Sequence, residues 1–230
     1  MGLKRTIQVA VAALVAGAVS AAAPVAASAG TPACGPYCIG VFSDELGTYA
    51  HPNFVEHVWG GTTRIGTPTG LTQVSGSDSS EDFVNPHPNE DVSDYYNLGL
   101  VSAGVNRHYA SLKASQLEYA PLGVPTGLCV GVANDPYQNE ALSLQSCTVP
   151  GRTVWIIATS LSPATAATGF FPIVSGATSD FSRPFAMSYP HHVATTEMLP
   201  PIRLRHLRFQ GADHSLPAQQ LWGVKLGGLQ

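Results

Sequence analysis

The chain has 230 residues, of which 44% are hydrophobic and only 11% are charged, and its formal net charge is −4. Since an average globular domain is about 25% charged, much of the polar surface must come from Ser, Thr, Asn and Gln. The acidic balance argues against nucleic acid or an anionic membrane as a general partner. A chain of this length buries a sizeable core as one all-β domain.

The first 29 residues have the pattern of a secretory signal peptide. Lys4 and Arg5 form a short basic region, an apolar run rich in Ala and Val covers 7–25, and Ala27-Ser28-Ala29 supplies the small residues of a cleavage site. A membrane anchor is the alternative, but the run is rich in Ala and only moderately apolar, and small residues with Pro24 end it. We therefore predict a secreted, extracellular protein without membrane insertion, which keeps 9 basic and 15 acidic residues after cleavage, a net charge of −6.

The four cysteines all follow the predicted cleavage site, in a compartment where disulfides persist. They are Cys34, Cys38, Cys129 and Cys147, and they allow three pairings. We favour a disulfide between Cys129 and Cys147, which links two neighbouring strands and leaves Cys34 with Cys38. A metal site is the alternative, but no His lies at a ligand-like spacing from either pair. The sequence therefore predicts structural disulfides, no metal and no cofactor.

Short β-type runs separated by Gly, Pro, Asn and Ser follow one another along the rest of the chain. They cover 39–42, 55–59, 71–74, 128–133, 141–145, 153–158, 185–189, 202–209 and 220–226. In the last run, apolar Trp222, Val224 and Leu226 alternate with other residues, which is typical of a half-buried strand. The segment 103–120 fits no sustained helical stripe. We therefore predict an all-β sandwich or barrel.

A three-fold repeat runs faintly through these strands. Phe83, Trp155 and Trp222 each follow a polar residue by two positions, and they are 72 and 67 residues apart. Each aromatic residue also follows an apolar strand, which contains Leu71, Leu144 or Leu207. The near-equal spacing predicts a pseudo-symmetric barrel in which the three aromatic rings face a common interior. The long interval over about 86–123 is predicted to be a loop-rich insertion.

One repeat resembles the ricin-type β-trefoil family. The stretch 127–132 is similar to its Cys-bearing strand, 141–147 to its second strand, 152–155 to its Gln-x-Trp strand, and Gln220-Leu221-Trp222 to that last strand in a final repeat. The chain also resembles a group of small secreted actinobacterial proteins of unknown function, over 34–42, 126–155 and 179–184. These resemblances imply a single β-trefoil-like domain over 30–230, with a pseudo-threefold barrel and loop insertions.

The resemblance also suggests where a sugar would bind. Repeats of this type that hold sugar have an Asp shortly after the first Cys, then an aromatic platform and an Asn or Gln, but neither Cys129 nor Cys38 is followed by that Asp. The candidate substitutes are Asp135, Tyr137 and Asn139 in one repeat, and Asp44 and Tyr49 in another. A ring packs on the apolar face of a sugar, while carboxylate and amide groups bind its hydroxyls. The alternative is a simple turn at 134–136 with Tyr137 covering a strand edge.

The chain has one basic cluster and no recognisable catalytic motif. Arg203, Arg205, His206 and Arg208 lie close together in sequence; they either hold an anionic group such as a uronate or a phosphate, or form a charged outer strand face. No Gly-x-Ser-x-Gly, His-Glu-x-x-His or phosphate-binding Gly loop is present. A Ser-His-Asp triad assembled from distant residues is the alternative that the sequence leaves.

These observations favour a binding protein over an enzyme. We predict a monomeric, non-catalytic module with a lectin-like preference, whose partner is an extracellular glycan or protein. The alternatives are a trefoil-type inhibitor of an extracellular hydrolase, with Pro86–Pro88 as its stiff loop, and a secreted hydrolase without a recognisable motif. The fold by itself does not decide among them, because one barrel supports many activities.

Overall fold

A computed structural model describes residues 38–75, 78–189, 198–211 and 215–226. The predicted signal peptide and Cys34 lie outside these residues. Strands make up most of the regular structure, and the helices are short. No helix in the described ranges is long and apolar enough to cross a membrane.

The strands fall into three lobes of similar organisation. Lobe 1 contains β1 (Ile39–Ser43), β2 (Phe54–Val58), β3 (Thr69–Gln73) and β4 (Phe83–Val84). Two helices follow, α1 (Val92–Asn97) and α2 (Ala103–Tyr109). Lobe 2 contains β5 (Ala114–Ser115), β6 (Glu118–Tyr119), β7 (Leu128–Gly131), β8 (Glu140–Ala141), β9 (Ser143–Ser146) and β10 (Trp155–Ile157). After α3 (Pro163–Ala166), lobe 3 contains β11 (Ile173–Ser175), β12 (Phe185–Ser188), β13 (Met198–Pro201), β14 (Arg203–His206) and β15 (Trp222–Leu226).

The first and last strands of the lobes pair into a closed barrel. β15 pairs with β1, β4 with β6, β5 with β10, and β10 with β11, all antiparallel. Two single bridges complete the circle, between Cys38 and Val84 and between Phe171 and Trp222. Since every barrel strand has a neighbour on each side, the barrel has no open edge.

The middle strands of the lobes form three hairpins that cap one end of the barrel. These hairpins are β2–β3, β7–β9 and β12–β14. They join to one another where β3 pairs with β13, β8 with β14, and Pro68 with Ser143. A closed six-stranded barrel with three mutually paired hairpins is a β-trefoil, so the chain has the all-β, trefoil-like fold that the sequence predicts.

A ring of three backbone hydrogen bonds marks the pseudo-threefold axis. The Thr69 N–H donates to the Leu142 carbonyl (3.1 Å), the Leu142 N–H to the Ile202 carbonyl (3.0 Å), and the Ile202 N–H to the Thr69 carbonyl (3.3 Å). All three residues are fully buried. The ring therefore ties one strand of each lobe to the next in water-free surroundings, where such bonds are stronger and costly to lose.

The three aromatic residues predicted to face the interior are all buried there. Phe83, Trp155 and Trp222 are each no more than 1% exposed and belong to the same apolar cluster. The Trp155 indole N–H donates to the Val130 carbonyl at 2.9 Å, and the Trp222 indole N–H donates to the Met187 carbonyl at 3.0 Å. Trp155 thus links β10 to β7 within lobe 2, and Trp222 links β15 to β12 within lobe 3.

The strand registers correct one assignment in the predicted repeat. Leu71 pairs with Glu56, Leu144 with Val130, and Leu204 with Met187. Leu204, rather than Leu207, is therefore the third member of the leucine set. Leu207 follows the end of β14 and packs in a second apolar cluster.

The predicted insertion over about 86–123 contains more regular structure than expected. It holds α1 and α2, and also β5 and β6, which pair into the barrel. The part outside the barrel therefore ends before Ala114. The helices pack through Val92, Tyr95, Val105 and Tyr109 on the second cluster, beside Ile156 and Val174 of the barrel. Helices of six and seven residues are too short to produce a readable apolar stripe.

The predicted disulfide between Cys129 and Cys147 is present. It connects β7 to the residue after β9, across a sequence separation of 18. In the chain-entropy model, a loop of that size contributes about 3 kcal/mol to stability. Cys38 is also disulfide-bonded; its predicted partner, Cys34, lies outside the described residues.

One position breaks the apolar symmetry of the interior. Glu56 occupies in lobe 1 the register position that Val130 and Met187 occupy in lobes 2 and 3. Its side chain is 1% exposed, and neither carboxyl oxygen has a hydrogen-bond partner in the described part of the molecule. Burial disfavours the charged form and raises the pKa of Glu56 to about 8. The carboxyl is therefore mostly protonated in the folded protein at neutral pH.

We expect Glu56→Met to raise the free energy of unfolding at pH 7 by about 1–3 kcal/mol, because it removes an unsatisfied buried polar group. In the wild type, the folded pKa of Glu56 lies above its unfolded value. This carboxyl therefore contributes stability that is complete below about pH 4.5 and is lost as the pH rises through about 8. Glu56→Gln should remove that loss. The measurement is urea unfolding of wild type and both variants between pH 5 and 9.

The comparison must be between variant and wild type at each pH, because buried His57 also makes the stability depend on pH. Burial lowers the pKa of His57, which makes stability rise with pH and so opposes the effect of Glu56. The exposed Glu45 provides the control variant, Glu45→Gln. If the difference between Glu56→Gln and wild type stays constant from pH 5 to 9, Glu56 does not titrate in the folded state as described.

Candidate functional site

The best-defined surface loop that carries predicted site residues is the 133–139 loop of lobe 2. It follows β7, where Val132 still bonds through its N–H to the Arg152 carbonyl at 3.0 Å. A Cβ on Gly131 would lie 2.5 Å from that same carbonyl oxygen, so the two strands approach this closely only because residue 131 is glycine. The loop ends at Asn139, just before β8.

A buried carboxylate fixes the first half of the 133–139 loop. Glu140 is 3% exposed, and one carboxylate oxygen accepts from the Ala133 N–H (3.1 Å) and the Asn134 N–H (3.4 Å). Burial raises the pKa of Glu140, and the bonds from the loop backbone together with the charge of Arg152 oppose that rise. Arg152 adds a bond to the Ala133 carbonyl at 2.9 Å. These bonds anchor the backbone of residues 133 and 134 to Glu140 and Arg152.

Two arginines of lobe 3 fix the second half of the loop. Arg203 donates to the Asn139 carbonyl at 3.0 Å, and Arg205 donates through Nε to the Asn139 side-chain oxygen at 2.7 Å. The Gln138 side-chain oxygen accepts from the His206 backbone N–H at 3.1 Å. These bonds all join lobe 2 to lobe 3, so the loop depends on the packing of two lobes.

Asn139 also has a special backbone conformation. Its φ of 67° is in the left-handed region, and its N–H donates to the Leu204 carbonyl at 2.8 Å. In lobe 1, Gly66 has a φ of 84° and donates to Leu144 at the same distance. The two residues are therefore equivalent, and Asn is among the few residues besides Gly that tolerate this conformation.

The three predicted ligand residues of this repeat lie on the same exposed loop. Asp135 projects fully into solvent, 3.9 Å from the Arg152 guanidinium, and Tyr137 is 55% exposed. The oxygen of the Asn139 amide is already bound by Arg205, which leaves the amide nitrogen to donate. Their role in ligand binding stays a prediction.

The second predicted pair lies in a more crowded place. The pKa of Asp44 is raised by burial and by the neighbouring charge of Glu45. Tyr49 is 41% exposed, but its ring lies 5.7 Å from Phe42 and 6.3 Å from Phe170, and Lys225 approaches it to 5.4 Å. A ring with these neighbours contributes to packing, and a ligand-binding role for Asp44 and Tyr49 likewise stays a prediction.

The predicted inhibitory loop at Pro86–Pro88 packs against α1. His87 lies edge-on to Tyr95 at 5.5 Å and 3.6 Å from the Glu90 carboxylate. Among the described residues, the most exposed large apolar side chain is Leu122, at 72%, in a different turn. Leu122 has a φ of 55°, a left-handed conformation unlike an extended, substrate-like strand.

A cleft of about 540 Å³ adjoins the 133–139 loop. We call it the arginine cleft; it is lined by Gln138, Arg183, His206, Leu207, Arg208 and Phe209. The sequence pattern identifies its members 206 and 208 as part of a basic cluster, but not Arg183, which is brought there by the pairing of β12 with β14. Within the described ranges, no group of three His, Cys, Asp or Glu side chains is placed to hold a metal ion.

Comparisons with known proteins find similarity at the level of structure alone. No family model matches the chain, and no curated protein matches it. A designed three-fold symmetric protein, ThreeFoil, is 10% identical, with a TM-score of 0.48, over 81% of this chain and 96% of that one. A ricin B-like lectin of Macrolepiota procera, solved with lactose, is 14% identical, with a TM-score of 0.47, over 83% and 96%.

A Caenorhabditis elegans protein with unknown function is 11% identical, with a TM-score of 0.42, over 84% of this chain and 96% of that one. These structures are what the chain resembles. The chain itself has a β-trefoil fold, and this assignment rests on its own closed barrel and three joined hairpins.

We expect Asn139→Ala to lower the free energy of unfolding by about 1–3 kcal/mol. The change places an ordinary residue in the left-handed region and removes the acceptor of Arg205. Asn139→Gly is the matched variant: it also loses the acceptor but keeps the backbone conformation that Gly66 shows in lobe 1. It should therefore be about 1 kcal/mol more stable than Asn139→Ala. Urea unfolding of both variants measures the difference, and equal stabilities would contradict the backbone argument.

Proposed function

We propose that the protein is a secreted, non-catalytic binding module whose ligand is an extracellular glycan, bound at the 133–139 loop. One observation supports this most directly. Tyr137 is a half-exposed aromatic ring on a loop that Glu140 fixes from one side and that Arg203 and Arg205 fix from the other. Such a ring offers a flat apolar surface to a sugar without having to be ordered first.

The polar groups around Tyr137 suit sugar hydroxyls. The side-chain oxygens of Gln138 and Asn139 already accept hydrogen bonds from His206 and Arg205, so their amide nitrogens are the atoms that can donate to a ligand. The fully exposed Asp135 carboxylate is an acceptor for hydroxyl groups. An aromatic platform that has an acceptor before it in the sequence and two donors after it supports binding of a polyhydroxylated ring.

The proposed location outside the cell agrees with the cysteine chemistry. A disulfide links Cys129 to Cys147, and Cys38 is disulfide-bonded as well. Disulfides of this structural kind persist in oxidising compartments. Together with the predicted signal peptide over 1–29, they support a role in which the module meets its ligand outside the cell.

The test is the effect of Tyr137→Ala on glycan binding. Oxidised wild-type protein, without the predicted signal peptide, is screened on a glycan array, and the best ligand is then titrated by calorimetry. Losing the ring should weaken binding about tenfold, which corresponds to about 1.4 kcal/mol. Tyr96→Ala is the control, because Tyr96 is 41% exposed but lies on α1 in the insertion. The proposal fails if no glycan binds, or if both variants lose affinity equally.

A further inference from the structure

The arginine cleft concentrates positive charge on an acidic protein. After the predicted signal peptide the chain has nine Lys and Arg residues and a net charge of −6. Four of the nine lie in or beside this cleft: Arg183, Arg203, Arg205 and Arg208. An even distribution of charge would not give such a local concentration, which creates a positive potential at the cleft.

The strand pattern explains why the arginines face outward. Leu204 is fully buried in the main core, so its neighbours Arg203 and Arg205 project from the opposite face of β14. Both donate hydrogen bonds to Asn139 and thereby fix the 133–139 loop, which forms one side of the cleft. They shape the cleft, while Arg183 and Arg208 line it.

Buried hydrogen bonds fix the backbone at Arg208. Buried Gln220 accepts from the Arg208 N–H at 2.8 Å and donates to the His206 carbonyl at 2.9 Å. The His206 ring stacks on Phe185 with centroids 3.8 Å apart, and its Nδ1 contacts the Arg183 carbonyl. The positions from which the two cleft guanidinium groups extend are therefore set before any ligand arrives.

The charge of the cleft is only weakly compensated. Across the part of the chain that the structure describes, the carboxylate closest to these arginines is Asp180, 3.9 Å from Arg183. One oxygen of Asp180 is occupied by the Ser182 hydroxyl and by the Ser182 and Arg183 N–H groups. The Arg183 side chain is 68% exposed. A guanidinium in this setting keeps most of its donors available, in a planar fork that matches a carboxylate or a sulfate.

We propose that the arginine cleft binds the anionic group of an acidic sugar, with Arg183 and Arg208 on its carboxylate or sulfate. This inference rests on the proposed function, because the sugar belongs to the glycan held at Tyr137. Gln138 connects the two places, since it lies in the 133–139 loop and also lines the cleft. The volume of about 540 Å³ is within the range of small-molecule sites, and the partly exposed Phe209 supplies apolar surface for the sugar ring.

The test compares an acidic oligosaccharide with neutral and inorganic probes. The three main probes are an oligogalacturonate, its methyl ester, and inorganic sulfate, each titrated by calorimetry into the oxidised protein. A sulfated galactan oligosaccharide is the fourth probe and distinguishes sulfate from carboxylate. We expect the acid to bind about tenfold to a hundredfold more tightly than the ester, as one charge-assisted pair provides. This preference should shrink when the salt concentration is raised from 0.05 to 0.5 M.

The variant is Arg183→Gln with Arg208→Gln, and the control is Arg64→Gln. Arg64 is an exposed arginine in lobe 1, in the loop between β2 and β3 that corresponds to the 133–139 loop. The double variant should bind the acid no better than the ester while it keeps its affinity for the ester. The control should retain the full preference for the acid.

The outcomes separate this inference from the proposed function. Equal affinity for acid and ester in the wild type would overturn the anionic site and leave glycan binding at Tyr137 intact. A preference for acid that is lost in the arginine variant, together with unchanged affinity for both probes in Tyr137→Ala, would support the anionic site and contradict the platform. Inorganic sulfate binding as tightly as the oligosaccharides would overturn the assignment to a sugar.

Discussion

The ring of hydrogen bonds among Thr69, Leu142 and Ile202 is the constraint on which the rest of the structure depends. Each lobe contributes one donor and one acceptor, so no lobe can satisfy its own strand alone. Buried backbone groups without partners are costly, which makes the three lobes assemble together or not at all. Around this axis the hairpins meet, and their outer ends carry the loops that differ between lobes. The shared interior therefore sets the positions of surface loops whose sequences differ between the lobes.

The candidate site follows from a contact between two lobes that the axis brings together. The loop belongs to lobe 2, whereas the arginines that hold it belong to lobe 3. Asn139 and Gly66 show that the same backbone turn is used in two lobes with different side chains. In lobe 1 the turn carries no side chain at that point, while in lobe 2 the Asn amide is available to join the neighbouring lobe. Equivalent backbone turns in a symmetric fold can carry different side chains, and one lobe then has a surface that the other lobes lack.

The sequence predicts the interior better than it predicts the surface, for physical reasons. Phe83, Trp155 and Trp222 could be recognised because burial in equivalent places repeats both residue type and spacing. The short helices could not, since six or seven residues leave no periodic stripe. The sequence pattern predicts Leu207 as the repeated leucine, because strand parity cannot show that β14 ends at His206. Arg183 joins the cleft only through the pairing of β12 with β14, and no local pattern reports a contact across that many residues.

The dependence of the 133–139 loop on two lobes has a consequence for how a ligand would act on the whole molecule. A ligand that contacts Tyr137 and the arginines engages a surface that exists only while lobes 2 and 3 are docked. Ligand binding is then linked to global folding. A free ligand concentration of a hundred times the dissociation constant raises the free energy of unfolding by about 2.7 kcal/mol. Ligand binding and thermal stability are therefore thermodynamically linked. A sugar that occupies this surface reports itself as a rise in melting temperature.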